Sequence, residues 1–181
     1  LGLPLAGIVS DNQRAILLAA KKVFPSVPHQ YCQFHYMSNI SKDFQEQERC
    51  LRKEVRKKLR PILQTQKTAR SQHQRGELSK QEYELLLQFY EVVKAASRRT
   101  AKYPFKTIGL QLYRDVYAIE VAVKRLQKTH PLSFFATILK HTEKIRKTMK
   151  PTYIKVKQQF NYICEIQTVL DRNPPQDASS C

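Results

Sequence analysis

The sequence predicts a strand, a helix and a second strand followed by an all-α region, so the fold is α/β at its start and mostly α overall. An apolar run at residues 5–10 ends abruptly at Asp11, a helical pattern follows, and a second short apolar stretch occupies residues 29–34. Only helical periodicity is present from Tyr36 to Leu170. Two strands joined by a helix over about 30 residues form a βαβ unit, so the strands are expected to be parallel.

Local signals support each element of this βαβ unit. Ile8 and Val9 are β-branched, which favours a strand, and Asp11 is placed to cap the helix that follows. Two lysines in the last turn of that helix interact favourably with its dipole, and Pro25 ends it.

Prolines and one polar stretch divide the helical region. Pro61 is expected to kink the first long helix, and residues 64–76 predict a loop or a frayed end. Ser79 and Glu82 form a capping box that begins the next helix. Pro104 precedes a helix near residues 107–129, and Pro151 is expected to break the chain before a last helix. The apolar stripe of the first long helix consists of Phe44, Leu51, Val55, Leu59 and Ile62.

The charge of the chain is its strongest global signal. The 181 residues include 32 Lys and Arg but only 15 Asp and Glu, which gives a formal net charge of +17. A basic excess spread over several helices predicts a polyanionic partner, most simply nucleic acid, although each basic face taken alone could be ordinary solvated surface. The residues expected to contact DNA phosphates are Arg49, Arg52, Lys53, Arg56, Lys57, Lys58 and Arg60.

The chain begins at Leu1, within an apolar segment, and we expect it to be part of a longer protein. No apolar run reaches the roughly 18 residues of a membrane span, and no signal peptide is recognisable. The four cysteines have no framework spacing, which favours reduced thiols. A cytoplasmic, nucleoid-associated protein without a membrane partner is therefore expected.

Asp11 is the first candidate for chemistry, because open α/β sheets bind ligands and metals at the carboxyl ends of their strands. Carboxylate oxygens suit Mg²⁺, and converging carboxylates hold the metal ions that drive phosphodiester reactions. Such a site would need more acids than Asp11. A lone Asp at a strand-to-helix junction is more often only an N-cap.

Three separated segments share a pattern: residues 10–16 (SDNQRAI), 23–25 (VFP) and 29–36 (HQYCQFHY). In order and spacing they resemble the catalytic core of DDE transposases, and in particular the bacterial insertion-sequence transposases of the Mutator-like kind. One departure is Asn12, where the family frequently has Gly.

This resemblance implies a ribonuclease H-like fold interrupted by a helical insertion. Residues 1–40 would form a partial ribonuclease H-like core, and residues 41–106 would form a basic helical insertion. Residues 107–172 would be helices that could return to the core, and residues 173–181 a disordered tail.

The resemblance also implies three catalytic acids. Asp11 matches the second, and the first would lie upstream of Leu1. The third would be a Glu on a later helix, for which Glu120, 109 positions beyond Asp11, is the best match and Glu143 the next. Asp11 and Glu120 would bind Mg²⁺ or Mn²⁺, with a solvated helix glutamate as the equal alternative for Glu120.

Cys32 and His35 form a Cys-x-x-His pair. The resemblance places it beside the catalytic core, where a structural or DNA-positioning role is favoured over zinc, which would need two more ligands. A half-buried Cys and a hydrogen-bonded His is the plainest alternative. Side chains three apart on an extended strand face opposite sides, which argues against a Cys–His nucleophile.

The resemblance thus implies part of a transposase that cleaves DNA and transfers strands with Mg²⁺, binding transposon ends and target DNA. A homo-oligomer is compatible with this function. The chain by itself is expected to be inactive, because the first acid is missing from it. The alternative is a non-catalytic, basic helical DNA-binding protein or a transposase remnant.

Overall fold

Helices dominate the computed structural model, which describes residues 4–11, 13–100 and 107–172. Its elements are β1 (Ile8–Ser10), α1 (Arg14–Val23), β2 (His29–Tyr31), α2 (Gln33–Ile40), α3 (Lys42–Gln74), α4 (Lys80–Arg98), α5 (Ile108–Thr129) and α6 (Ser133–Arg172). The predicted mostly α class is confirmed. Pro104 and the predicted tail at 173–181 lie outside the described residues.

The chain divides into two compact units. The first comprises Leu1–Phe44 together with Gln158–Cys181, and the second comprises Gln45–Lys157. Helix α6 therefore contributes its first part to the second unit and its last part to the first unit.

The two strands of the first unit are parallel, as predicted. Ile8 pairs with His29 and Ser10 with Tyr31, and the backbone N–H of Cys32 donates to the carbonyl of Ser10 at 2.7 Å. The second strand is shorter than the predicted 29–34, because α2 begins at Gln33. Phe34 and Tyr36 favour a strand by propensity, so the local sequence does not indicate that β2 ends at Tyr31.

The core of the second unit is made by the apolar stripes of four helices. The predicted stripe of α3 is confirmed, since all five of its residues are buried, four of them in the second unit and Phe44 in the first. In the other helices the fully buried side chains include Leu86, Tyr90, Val93, Leu112, Val116, Val123, Phe135 and Ile138. Burial of these stripes, rather than helix propensity, supplies most of the stability of such helices.

Helix α3 runs through most of the predicted loop at 64–76 and ends at Gln74. The hydroxyls of Thr65 and Tyr90 lie 2.8 Å apart, and the ring of His73 stacks on Tyr83 at 4.4 Å between centroids. These contacts to α4 stabilise a polar stretch whose sequence alone favours a frayed end. The helix ends in a Schellman motif at Gly76, whose φ of 76° suits glycine.

The start of α4 agrees with the sequence prediction. The backbone N–H of Glu82 donates to Ser79 Oγ at 3.2 Å, and the N–H of Ser79 donates to Glu82 Oε2 at 2.9 Å. The predicted capping box is therefore confirmed.

The predicted break at Pro151 is wrong, because Pro151 lies inside α6, as Pro61 lies inside α3. A proline removes one helical hydrogen bond, but packing on both sides can outweigh that loss. Met149 and Val156 are buried, and the ring of Tyr153 stacks on Tyr113 at 4.3 Å. Tertiary contacts thus hold the helix together across the proline.

Candidate functional site

Asp11 directly follows β1, at the carboxyl end of the strand, as the sequence predicted. Its Oδ2 accepts a hydrogen bond from Gln13 Nε2 at 2.9 Å. Its Oδ1 is buried and has no hydrogen-bond partner among the described residues, a state that it shares with buried atoms of Arg56, Asp115 and Gln159. An unpartnered buried carboxylate oxygen is costly, and a cation is one kind of partner that would stabilise it.

The prediction that Asp11 caps α1 is wrong. The N-cap of α1 is Gln13, whose side chain makes no capping hydrogen bond, and the helix begins at Arg14. Because the helix begins later than predicted, the Asp11 carboxylate bonds to the side chain of Gln13. Helix capping, which is the usual role of an Asp at a strand-to-helix junction, therefore does not account for Asp11.

Cys32 and His35 do not lie on a strand, so the argument that they face opposite sides is wrong. Cys32 is the N-cap of α2, and His35 lies in its first turn. The backbone N–H of His35, and then its imidazole, lower the pKa of the Cys32 thiol. The structure therefore brings the two side chains of the Cys-x-x-His pair together.

Asp11, Cys32 and His35 line one cavity of about 730 Å³ in the first unit. Next to Asp11, Ser10 Oγ lies 2.8 Å from Nε2 of His29. The remaining residues around this cavity are mostly amides and tyrosines: Gln13, Gln30, Tyr31, Gln33, Tyr36, Asn39 and Leu170. Within residues 4–11, 13–100 and 107–172, no three His, Cys, Asp or Glu side chains converge in a way that could hold a metal ion.

Glu120 lies in the second unit, on α5, and its side chain is only 3% exposed. Its Oε1 accepts from Lys124 Nζ at 2.9 Å, and its Oε2 accepts from Arg146 Nε at 2.8 Å. Lys124 also lies 3.2 Å from Glu143 Oε1. Glu120 is therefore a buried acid at the centre of an ion-pair network, rather than a solvated helix glutamate.

The electrostatics of Glu120 follow from these partners. Desolvation raises the pKa of its carboxyl, but the hydrogen bonds from Lys124 and Arg146 outweigh desolvation and lower the pKa overall. In turn Glu120 raises the pKa of both basic groups. The carboxylate is ionised and its charge is balanced by the protein itself.

The seven basic residues of α3 that were predicted to contact DNA fall into three groups. Lys53, Lys57 and Arg60 are exposed and follow one another at helical spacing, so they share one face of the helix, which we call the α3 basic face. Arg49 is instead paired with Glu46 at 2.7 Å, and Arg56 donates to the carbonyl of Arg99 at 3.3 Å. The remaining two predicted contacts, Arg52 and Lys58, are half-buried.

Sequence reasoning missed Gln13, which holds one oxygen of Asp11, and Arg146, which pairs with Glu120. The pairing of Glu120 with Lys124 could have been found, since the two are four apart on a helix. Arg146 lies on a different helix, 26 positions beyond Glu120, and no local pattern indicates that contact.

No helix within the described part of the chain is long and apolar enough to cross a membrane. A family model described as the Mutator family of transposases matches residues 5–130. Searches of curated proteins and of solved structures gave no match. The matched stretch is more than half of the chain and includes both Asp11 and Glu120, so this chain belongs to the Mutator family of transposases.

Proposed function

We propose that this chain is part of the catalytic domain of a DDE transposase, which cleaves DNA and transfers strands with Mg²⁺ or Mn²⁺. The single observation that carries the proposal is the buried, unpartnered Oδ1 of Asp11 at the carboxyl end of β1. Membership of a transposase family supports DNA as the substrate. Transposon ends and target DNA would be the two DNA partners.

Asp11 fits the role of one ligand to a divalent cation, and the described residues do not supply the rest of the set. A carboxylate oxygen is the hard ligand that Mg²⁺ prefers, and no donor among the described residues competes for Oδ1. Gln13 holds Oδ2, which would keep the carboxylate in one orientation. A bound metal would supply activation of water or a 3′-hydroxyl and stabilisation of the leaving oxygen.

Glu120 is proposed as a further acid of the same set, on the family's pattern. Both of its oxygens already have cationic partners, Lys124 and Arg146. A carboxylate oxygen has more than one lone pair, so ligation would need at least partial exchange of one of these partners. Without such an exchange, Glu120 positions α5 against α6 and does not touch the metal.

The surface of the first unit supports a ribonuclease H-like fold with more strands. Parallel sheets are normally covered on both faces. Here Val9 on β1 is 66% exposed and Leu18 on α1 is 59% exposed. Further strands and helices of a larger catalytic domain would cover such side chains.

The α3 basic face is proposed to bind the DNA backbone. Three exposed cations at helical spacing can contact successive phosphates without reading sequence. We expect the K53Q/K57Q/R60Q variant to bind duplex DNA more weakly and with a shallower salt dependence. Each lost phosphate contact lowers the slope of log affinity against log salt concentration by about 0.9.

The metal site is tested by Mn²⁺ binding to the 181-residue chain, followed by electron paramagnetic resonance. Asp11→Asn keeps the shape of the side chain and removes its charge, and it should weaken Mn²⁺ binding about tenfold or more. Asp43→Asn is the matched control, since Asp43 is an exposed aspartate of the same unit. Equal Mn²⁺ affinity in wild type and Asp11→Asn would contradict the proposal, and Glu120→Gln tests Glu120 in the same way.

One observation favours the alternative, a non-catalytic basic DNA-binding protein or transposase remnant. The acids of the described residues do not converge into a group of three. Under this alternative, Asp11→Asn leaves Mn²⁺ binding unchanged while the α3 variant still loses DNA binding.

A further inference from the structure

Helix α6 carries exposed lysines that the proposed function leaves unused. Lys140, Lys144 and Lys147 are all exposed, and their spacing of four and three residues places them on one face of the helix. We call these three residues the α6 lysine face. The helix begins at Ser133, beyond the stretch at 5–130 that the family model matches.

We propose that the α6 lysine face is a second DNA-binding surface, which contacts the phosphate backbone of duplex DNA. This inference rests on the proposed function, because it takes DNA as the partner of the chain. It adds a surface on a different helix from the α3 basic face, with the same sequence-independent mode of recognition.

The opposite side of α6 fixes the direction of these lysines. Ile138, Ile145 and Met149 are buried on that side. Between them, Arg146 Nε donates to Glu120, and the carbonyl of Arg146 accepts from the hydroxyl of Tyr113 at 3.0 Å. The helix therefore cannot rotate without breaking a buried ion pair, and the lysine face is held outward before DNA arrives.

No acid of the described residues neutralises the α6 lysine face. The one carboxylate of this part of α6, Glu143, pairs with Lys124 of α5. None of the three lysines has a carboxylate within ion-pair distance in the described part of the chain. The like charges of neighbouring lysines repel each other in the free protein, and a polyanion would relieve that repulsion.

The geometry and the residue type point to a duplex backbone. Seven residues of helix separate Lys140 from Lys147, which corresponds to about 10 Å along the helix axis. One strand of duplex DNA presents a phosphate about every 3.4 Å of its axis, so about three phosphates lie within that span. Lysine ammonium groups bind phosphates as point charges and do not favour one base over another.

The test is the K140Q/K144Q/K147Q variant of the 181-residue chain. Binding to a fluorescent DNA duplex of about 20 base pairs is measured in EDTA, so that the result does not depend on the metal site. The matched control is K21Q/K22Q/K42Q, which removes three exposed lysines of the first unit and the same charge. Circular dichroism confirms that both variants are folded.

We expect the α6 variant to bind about tenfold more weakly than the control near 0.1 M salt, with a salt slope lower by about 2 to 3. A second duplex of the same length and base composition but a different base order should bind the wild type equally well, because the lysines contact the backbone and not the bases. Equal losses in both variants would mean that only net charge matters, and no loss in either would mean that α6 stays off DNA. Both results overturn the inference. Polyglutamate serves as a second polyanion, and an α6 variant that loses binding to polyglutamate but not to the duplex also overturns it.

The two proposals can fail separately. If the α6 variant binds DNA like the control but K53Q/K57Q/R60Q does not, the inference about α6 is wrong and the α3 basic face is retained. If only the α6 variant loses binding, the inference is supported and the DNA contact proposed for α3 is wrong.

Discussion

Arg146 Nε donates to Glu120 Oε2 at 2.8 Å and thereby joins α6 to α5 through a carboxylate that is almost completely buried. Lys124 completes the charge balance from the same helix as Glu120. The contact explains why a glutamate is tolerated among the apolar residues of α5, because a buried charge needs a partner and hydrogen bonds.

Arg146→Gln is expected to destabilise the second unit by about 2 kcal/mol, because Glu120 would keep only one cationic partner in a buried position. Chemical denaturation followed by circular dichroism measures the loss. Lys147→Gln, one position further along α6, removes an exposed charge and should change stability by about 0.5 kcal/mol or less. An equal effect of the two substitutions would show that the ion pair does not stabilise the unit.

Glu48 makes a second contact between helices, at the start of α5. Its buried carboxylate accepts from the backbone N–H of Gly109, and from that of Leu110 at 3.4 Å. The N-cap of α5, Thr107, makes no capping hydrogen bond with its side chain. A glutamate of α3 therefore caps α5, which satisfies amides that would otherwise be buried without a partner.

The pKa of Glu48 predicts a pH dependence of stability. Desolvation raises this pKa, and the amides of Gly109 and Leu110 with the charge of Arg52 offset only part of the rise. Glu48 then binds its proton more tightly in the folded state than in the unfolded state. Its contribution to the free energy of unfolding therefore falls as pH rises from about 4 through the folded-state pKa.

Glu48→Gln should abolish that contribution, because glutamine keeps an acceptor oxygen and does not titrate. The stability of wild type relative to Glu48→Gln is expected to fall as pH rises, measured by urea denaturation from pH 4 upward. Glu48→Ala is the control for the cap itself and should lose about 2 kcal/mol, because the amides are left unpaired. A difference between wild type and Glu48→Gln that rises with pH would contradict the assigned direction.

Gly109 is required by the close approach of α5 to α3. A Cβ at this position would lie 2.7 Å from the carbonyl oxygen of Glu48 and 2.9 Å from the backbone nitrogen of Arg52. Backbone atoms cannot move aside as a flexible side chain can. We expect Gly109→Ala to destabilise by about 2 kcal/mol, measured by chemical denaturation.

Gly76 provides the matched comparison, because it is required for its φ of 76° and not for space. Gly76→Asn should be tolerated better than Gly76→Ala, since asparagine adopts left-handed backbone more readily. Gly109→Asn should be at least as harmful as Gly109→Ala. If asparagine were tolerated equally at both positions, steric crowding at Gly109 would be refuted.

Metal binding at Asp11 predicts a specific stabilisation. With 10 mM Mg²⁺ and a dissociation constant on the order of 1 mM, the wild type should gain about 1.4 kcal/mol. Asp11→Ala should gain nothing from Mg²⁺ and, because Asp11 does not cap α1, should lose little stability in EDTA. Thermal melts with Mg²⁺ and with EDTA measure both effects, and equal Mg²⁺ stabilisation of the two proteins would count against the site.

Several features were predictable because they depend on neighbours in sequence. The apolar stripe of α3 and the capping box of Ser79 and Glu82 are repeated or adjacent patterns, and both are confirmed. The parallel pairing of β1 and β2 follows from a helix lying between two short strands. The placement of Asp11 at the end of β1 was predictable for the same reason.

Some errors involve contacts from elsewhere in the chain, whereas the late start of α1 and the early end of β2 are errors in local helix and strand boundaries. Residues 64–74 are mostly polar but helical, and Thr65 and His73 contact α4 while Ala69 is buried. Pro151 is a local helix breaker, and the stacking of Tyr153 on Tyr113 outweighs it. The resemblance indicated Glu120, but its pairing with Arg146 depends on a different helix.

The sequence by itself determined the helical class, the βαβ opening, the family and the basic character of the chain, because periodicity, motif order and charge are properties of neighbouring residues. Only the tertiary structure decided which charges are balanced and which are free to act. Glu48 and Glu120 are buried against amides and cations, whereas the α3 basic face and the α6 lysine face stay exposed. Burial removes water, and without water each carboxylate requires a partner that only the packing of helices can bring to it.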